Sequence, residues 1–185
     1  ETVVTRGGYI ISDLHGQSTG AGCTGQVVDS QRNGVGALDS AWLIQRGSVT
    51  LPLRIERAVH SAQRIAEFLE ADERIAWVRY PGLPSHPQFE LAQRLLPRGA
   101  GGMISFATIG DGDDFNRFVS KLRLVTSATS LGHDESLIVH VGTQATRYQS
   151  YPEDFLRVGS LRFSTGLEDS DDIIADLSAA LDDAF

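Results

Sequence analysis

The chain has 185 residues, with 16 Lys and Arg against 24 Asp and Glu and a formal net charge of -8. Its length is enough for one substantial core, and 41% hydrophobic with 22% charged residues is the balance of a folded globular protein. The acidic balance excludes a broad phosphate-backbone footprint, a single Cys23 excludes an intrachain disulfide framework, and the absence of any apolar run of about 18 residues argues against a membrane span.

No basic-flanked apolar leader opens the sequence, so a secretion signal is not expected, and one cysteine suits a reducing, cytoplasmic setting. Nucleic acid is not an expected partner. The two ends of the chain read differently: the stretch before Leu51 is glycine-rich and poor in long apolar runs, whereas Leu51 to Phe185 reads as a compact domain.

Val3-Val4 and Tyr9-Ile10-Ile11 flank Gly7-Gly8, the pattern of two strand fragments around a glycine bend. Gly16, Gly20, Gly22, Gly25, Gly34 and Gly36 follow among polar residues. Such spacing could cradle a phosphate, but no lysine follows the glycines and the order matches neither a P-loop nor a dinucleotide fingerprint, so a loop or linker is the competing reading.

Leu38 to Arg46 predicts a short helix stopped by Gly47. Leu51, Ile55, Ala58, Val59, Ala62, Ile65, Ala66 and Leu69 then recur at spacings of three and four, which places one apolar stripe along a long helix. Ile75 to Tyr80 is a strand, ended by Pro81-Gly82-Leu83-Pro84 because proline cannot donate to a ladder. Pro87 to Leu96 reads as a helix offering Phe89, Leu91, Ala92, Leu95 and Leu96 to the core.

After Gly99 to Gly102, Met103 to Ala107 is a strand, Asp113 to Leu122 a helix, Leu124 to Ala128 a short or edge strand, and Ser136 to His140 another strand. Ser150 with Glu153 has capping-box spacing, which predicts a short helix over Tyr151 to Arg157. Leu161-Arg162-Phe163-Ser164 alternates, so Leu161 and Phe163 enter the core while Arg162 and Ser164 take the other face. Asp169 and Asp172 favour the first turn of a last helix with a stripe of Ile173, Ile174, Leu177, Ala180, Leu181 and Ala184. The fold class is therefore α/β to α+β, with a sheet covered on one face by helices.

Among chemistry-bearing groups, Arg162 stands out. Beside the turn at Ser164-Thr165-Gly166 its planar fork could take a carboxylate, or it could form a surface ion pair with Glu168. The polar turn Ser130-Leu131-Gly132-His133-Asp134-Glu135-Ser136 could add backbone N–H groups to such a site, or simply connect two elements. His133, Asp134 and Glu135 are adjacent on one short loop, which disfavours convergence on a metal ion, and no metal site is expected. His15, His60, His86, His133 and His140 form no H-E-x-x-H pattern, His60 being expected to be partly buried or in a polar contact on the long helix. Neither Ser130 nor Ser164 sits in a nucleophile elbow. Lys121, the single lysine, reads as a solvent-facing helix residue rather than a Schiff-base amine.

Six segments in order carry a resemblance. They are Leu38-Asp39-Ser40-Ala41-Trp42-Leu43-Ile44-Gln45-Arg46-Gly47, Thr50-Leu51-Pro52-Leu53-Arg54-Ile55, Tyr80-Pro81-Gly82-Leu83-Pro84-Ser85-His86-Pro87, Gly101-Gly102-Met103-Ile104-Ser105-Phe106, Ser130-Leu131-Gly132 with Glu135-Ser136-Leu137, and Leu161-Arg162-Phe163-Ser164-Thr165-Gly166-Leu167-Glu168-Asp169. Together they resemble the C-terminal portion of the pyridoxal-phosphate enzymes of cysteine and methionine metabolism: cystathionine synthases, cystathionine lyases and methionine lyases, of fold type I. The likeness is dense from about Leu38 onward.

The resemblance implies that residues 1–48 are the end of an aminotransferase-like cofactor-binding large domain and residues 49–185 the small C-terminal substrate-binding domain. Glu1 to Gly8 is similar to the segment that follows the family's Schiff-base lysine, so that lysine, and most contacts to pyridoxal 5'-phosphate, are expected on a companion polypeptide, and no catalytic residue on this chain. Arg162 would bind the substrate α-carboxylate, helped by the main chain around Thr129, Ser130 and Leu131, while Thr50 would lie near the cofactor entrance. Thr129 departs from the family pattern at a position that tunes substrate choice, and His140 to Arg147 lacks the family's histidine-proline opening. The implied activity is β- or γ-elimination or replacement on an amino acid by a split, heteromeric enzyme, such as a dimer of heterodimers. The alternative is a non-catalytic structural or regulatory subunit with the same small-domain fold.

Overall fold

In the computed structural model the described residues are 3–4, 10–11, 36–141 and 159–185, and the side chains are described from residue 40 onward within them. The glycine-rich stretch from Gly16 to Gly34, Cys23 and the helix expected over Tyr151 to Arg157 lie outside the described residues. The chain divides into two compact units, Glu1–Arg54 and Ile55–Phe185.

In the first unit, strand β1 (Val3–Val4) pairs antiparallel with β2 (Ile10–Ile11), as two apolar pieces around a glycine bend should. Helix α1 (Gly36–Val49) runs straight through Gly47, contrary to the expected stop. A glycine inside a helix weakens it by only about 1 kcal/mol, and here the ending is set further on, where Ser48 Oγ donates to the Gln45 carbonyl at 2.7 Å and the Gly47 carbonyl accepts from Thr50 Oγ1. Thr50 separates α1 from α2 (Leu51–Ala71).

The second unit is built on a five-stranded mixed sheet in the order β3-β4-β7-β6-β5. Its strands are β3 (Ile75–Arg79), β4 (Met103–Thr108), β5 (Thr126–Ser127), β6 (Leu137–Val141) and β7 (Ser160–Ser164). All pairs are antiparallel except the edge pair of β5 with β6. The last strand in sequence, β7, thus lies at the centre, with Ile104 and Ile138 opposite Phe163, and Phe106 and His140 opposite Leu161.

Because side chains alternate across a strand, those residues share one face, and helices cover it. Phe106 meets Phe118 of α4 (Gly112–Lys121) edge-on at 6.2 Å, and His140 meets Phe115 at 5.2 Å. The α2 stripe of Ala62, Ile65, Ala66 and Leu69 and the stripe of Ile173, Leu177, Ala180 and Leu181 on α5 (Ser170–Ala184) are buried in the same core. Helix α5 starts where its sequence says it should: Asp169 caps it by accepting from the Asp171 N–H at 2.9 Å.

One expectation fails in this unit. Helix α3 (Phe89–Leu95) buries none of its residues, and Leu91, Leu95 and Leu96 are exposed, because the core is already closed by α2, α4 and α5. Of the two settings expected for His60, partial burial or a polar contact, the first is not found: His60 is exposed on α2.

Candidate functional site

The opposite face of the sheet carries the polar chemistry. Register places Arg79, Ser105, Arg162 and Val139 in one row across β3, β4, β7 and β6. Arg79 lies over the Trp77 ring of its own strand at 5.5 Å. Arg162 is only half-buried, although its neighbours in sequence, Leu161 and Phe163, are fully buried on the other side.

The guanidinium of Arg162 donates from one terminal nitrogen to the carbonyl of Thr129 at 2.6 Å and to that of Ser130 at 3.3 Å. No carboxylate pairs with it among the described residues, and Glu168, the acid expected as an alternative partner, is committed elsewhere. Its two oxygens accept from the backbone N–H of Ser136 at 2.6 Å and from Ser136 Oγ at 2.9 Å. A guanidinium has five N–H donors in a planar fork, so one held at a single nitrogen by carbonyls keeps donors for a carboxylate at its remaining edge.

The turn that Arg162 holds is fixed at both ends by one strand. Arg162 takes Thr129 and Ser130, while Ser164, two residues on and therefore on the same face, accepts from the Gly132 N–H at 3.0 Å. Gly132 has φ +71°, a left-handed conformation that glycine adopts without strain, so the turn needs glycine for its backbone. The engagement differs from the expected one: Gly132 and Ser136 spend their N–H groups inside the protein, and carbonyls of the turn orient the arginine.

Thr129 and Ser130 are exposed and Leu131 is half-buried. Thr50 belongs to the first unit, exposed, with Oγ1 accepting from Arg54 Nε at 3.3 Å. Glu168, Ser136 and Ser164 complete the neighbourhood of Arg162, and sequence reading missed them as a group because each contact spans 32 residues with no local signal. Lys121 ends α4, on the helix-covered side, so the sheet stands between it and Arg162. Among the described residues, Arg162 keeps donors that a carboxylate could take, and the lysine, Lys121, stands on the other side of the sheet from it.

The class defined by this architecture is the small C-terminal domain of fold-type I enzymes, a mixed five-stranded sheet packed by helices. The chain belongs to the family described as Cys/Met metabolism PLP-dependent enzyme, whose model matches residues 17–182. It is 60% identical over 148 residues to a canavanine gamma-lyase of Pseudomonas canavaninivorans, covering 79% of this chain and 37% of that protein. An O-succinylhomoserine sulfhydrylase of Mycobacterium tuberculosis is 40% identical over 77% of this chain and 36% of its own length. A cystathionine gamma-lyase of Saccharomyces cerevisiae is 41% identical over 83% and 41%, respectively. The chain thus spans well under half the length of these relatives. No described helix is long and apolar enough to cross a membrane.

Proposed function

We propose that this chain is the substrate-binding part of a pyridoxal-phosphate enzyme that cleaves a bond at the γ-position of an amino acid, with Arg162 as receptor of the α-carboxylate. The observation that carries the reading is the posture of Arg162: half-buried, aimed by two backbone carbonyls, and without an acidic partner among the described residues. Residues 49–185 form the substrate domain, and 1–48 belong to the cofactor-binding domain.

Pyridoxal phosphate, when bound, supplies the electron sink for negative charge developing at the substrate's α-carbon. The work of this chain is orientation: two charge-assisted bonds from Arg162 fix the carboxylate, so the remaining Cα substituents take defined directions. Thr129 and Ser130 hold the guanidinium, Leu131 shapes the turn beside it, and Thr50 lies toward the cofactor entrance. The lysine that carries the cofactor comes from a companion polypeptide in a heteromeric, cytoplasmic assembly. The single lysine at the far side of the sheet supports a cofactor lysine outside these residues.

The similarity to two canavanine gamma-lyases, at 60% and 51% identity, makes canavanine the first substrate to try, ahead of methionine and cystathionine. In the coenzyme-loaded assembly, Arg162→Ala should lower kcat/KM by roughly 10²- to 10³-fold, mostly through KM, with partial recovery in Arg162→Lys. Unchanged kinetics in Arg162→Ala would remove the carboxylate assignment. Absence of coenzyme absorbance in every co-purified assembly containing this chain would remove the companion.

A further inference from the structure

Behind the Arg162 turn lies a second, buried set of contacts. The Ser136 hydroxyl is fully buried; it donates to Glu168 and accepts from the Gly166 N–H at 2.9 Å. Glu168 also takes the Ser136 N–H, and the Leu167 N–H donates to the Asp134 carbonyl at 2.8 Å. Segments 134–136 and 166–168 are therefore joined by four hydrogen bonds. There is no slack between them: a Cβ on Gly166 would lie 2.4 Å from Glu168 Oε2 and 2.5 Å from the Asp134 carbonyl oxygen.

The first of these segments continues directly from the turn that aims Arg162, and the second continues directly from β7, which carries Arg162. The seam thus ties the two ends of the device together, at the point where a small sliding of one against the other would carry the Thr129 and Ser130 carbonyls off the guanidinium. Charge-assisted bonds to an ionised acid are about twice as strong as neutral ones, so a carboxylate is well suited to fix that register. Occupation of both Glu168 oxygens by Ser136 also leaves the arginine to serve another acid.

We infer that Glu168 and Ser136 are positioning residues for the carboxylate site: they hold the Thr129–Gly132 turn in the one register in which it presents the Arg162 fork. This rests on the reading of Arg162 given above. Neither residue touches the substrate, and each acts through the arginine.

The test uses the coenzyme-loaded assembly and two probes without a side-chain leaving group, L-norvaline and n-butylamine, which differ only by the carboxylate. Calorimetric Kd values give their ratio, the preference for the carboxylate. Glu168→Ala and Ser136→Ala should each lower that preference about tenfold, Glu168→Gln should recover part of it because one oxygen still accepts from the Ser136 N–H, and Leu177→Val, which loosens the core on the other side of the sheet, should leave it unchanged. If Glu168→Ala does not accumulate as folded protein, Ser136→Ala and Glu168→Gln carry the comparison.

Wild-type preference in both Ser136→Ala and Glu168→Ala, with Arg162→Ala having lost it, would overturn the inference and leave the carboxylate assignment standing. Wild-type preference in Arg162→Ala would overturn both. An equal loss in Leu177→Val would show that general loosening is responsible, and would overturn the positioning role.

Discussion

The two faces of the central sheet divide the labour of this domain, and a single strand serves both. Along β7, Leu161 and Phe163 are fully buried under helices, while Arg162 and Ser164 hold a turn against the other side. The first pair gains from removing apolar surface from water, a large and non-directional term. The second pair gains little stability from a half-exposed cation and instead fixes directions in space. A domain arranged this way can change what it recognises without unfolding.

The sharpest way to break that division is to compare neighbours. Phe163→Ala should destabilise the protein by about 3–5 kcal/mol, because a fully buried ring leaves a cavity between Ile104, Ile138 and the helices. Arg162→Ala, one residue away, should cost less than about 1 kcal/mol while removing most of the activity. Urea unfolding of the two variants checks this, and equal losses would mean that the polar face also carries the fold.

Next in size is Asp176. From α5 its carboxylate accepts from three successive backbone N–H groups, those of Arg123 and Leu124 at 2.9 Å and Val125 at 3.1 Å, and so ties the segment before the edge strand β5 to the helix layer. Asp176→Ala should lose about 1–3 kcal/mol, since Val125 is buried and its N–H would be left without a partner. Hydrogen exchange should then quicken at residues 123–127 before it does at β7.

Asp176 also marks the limit of what the sequence reveals. Periodicity disclosed the α2 and α5 stripes and the alternation of Leu161, Arg162 and Phe163, because those signals repeat within a few residues. Arg162 was legible as a candidate for the same reason, as a charge in an apolar strand. The three bonds of Asp176, and those joining Ser136 to Glu168, link residues 32 to 53 positions apart, and nothing local distinguishes these acids from ordinary solvated ones. The apolar residues of α3 misled for the complementary reason: a helical pattern tells which side of a helix is apolar, but not that other helices have already filled the core. Gly47 misled by two residues, because one helix-weakening residue does not by itself end a helix, which here runs on to Val49.

A smaller effect probes the polar atoms admitted to the covered side. Tyr80 is almost wholly buried, its hydroxyl donates to the Gly101 carbonyl at 2.9 Å, and burial, aided by the charge of Glu67, pushes its phenol up to about 12. The folded state therefore holds this proton more tightly than the unfolded chain, whose phenol titrates near 10.0. The stabilisation is complete below the unfolded value and is lost as pH rises from there through the folded value. Tyr80→Phe should cost about 1 kcal/mol near neutral pH and should flatten the alkaline decline in stability. Denaturant midpoints measured across that range give the slope, and an unchanged slope would assign the decline to other groups.

The smallest expected effects come from aspartates at the periphery of the helix layer. The carboxyl of Asp169 is held below the ordinary value by the backbone N–H of Asp171 and then by Arg57, that of Asp114 by the N–H of Asp111 and then by Arg117, and that of Asp72 by its hydrogen bond to Arg74. Here the sign is opposite to that of Tyr80: a depressed folded value means stability that is present above the unfolded value of 3.8 and is lost as pH falls through the folded one. Each single Asp→Asn variant should lower the midpoint slightly near neutral pH, where that stability is present, and reduce the slope below about pH 4, with Asp72→Asn changing both most because it is the least exposed of the three and pairs with Arg74. All three acids belong to the helix layer or its connections, so carboxylate preference at Arg162, measured with the same two probes in Asp169→Asn at neutral pH, should stay at the wild-type value. A fall in that preference would mean that the cap of α5, one residue beyond Glu168, transmits its state to the open face of the sheet.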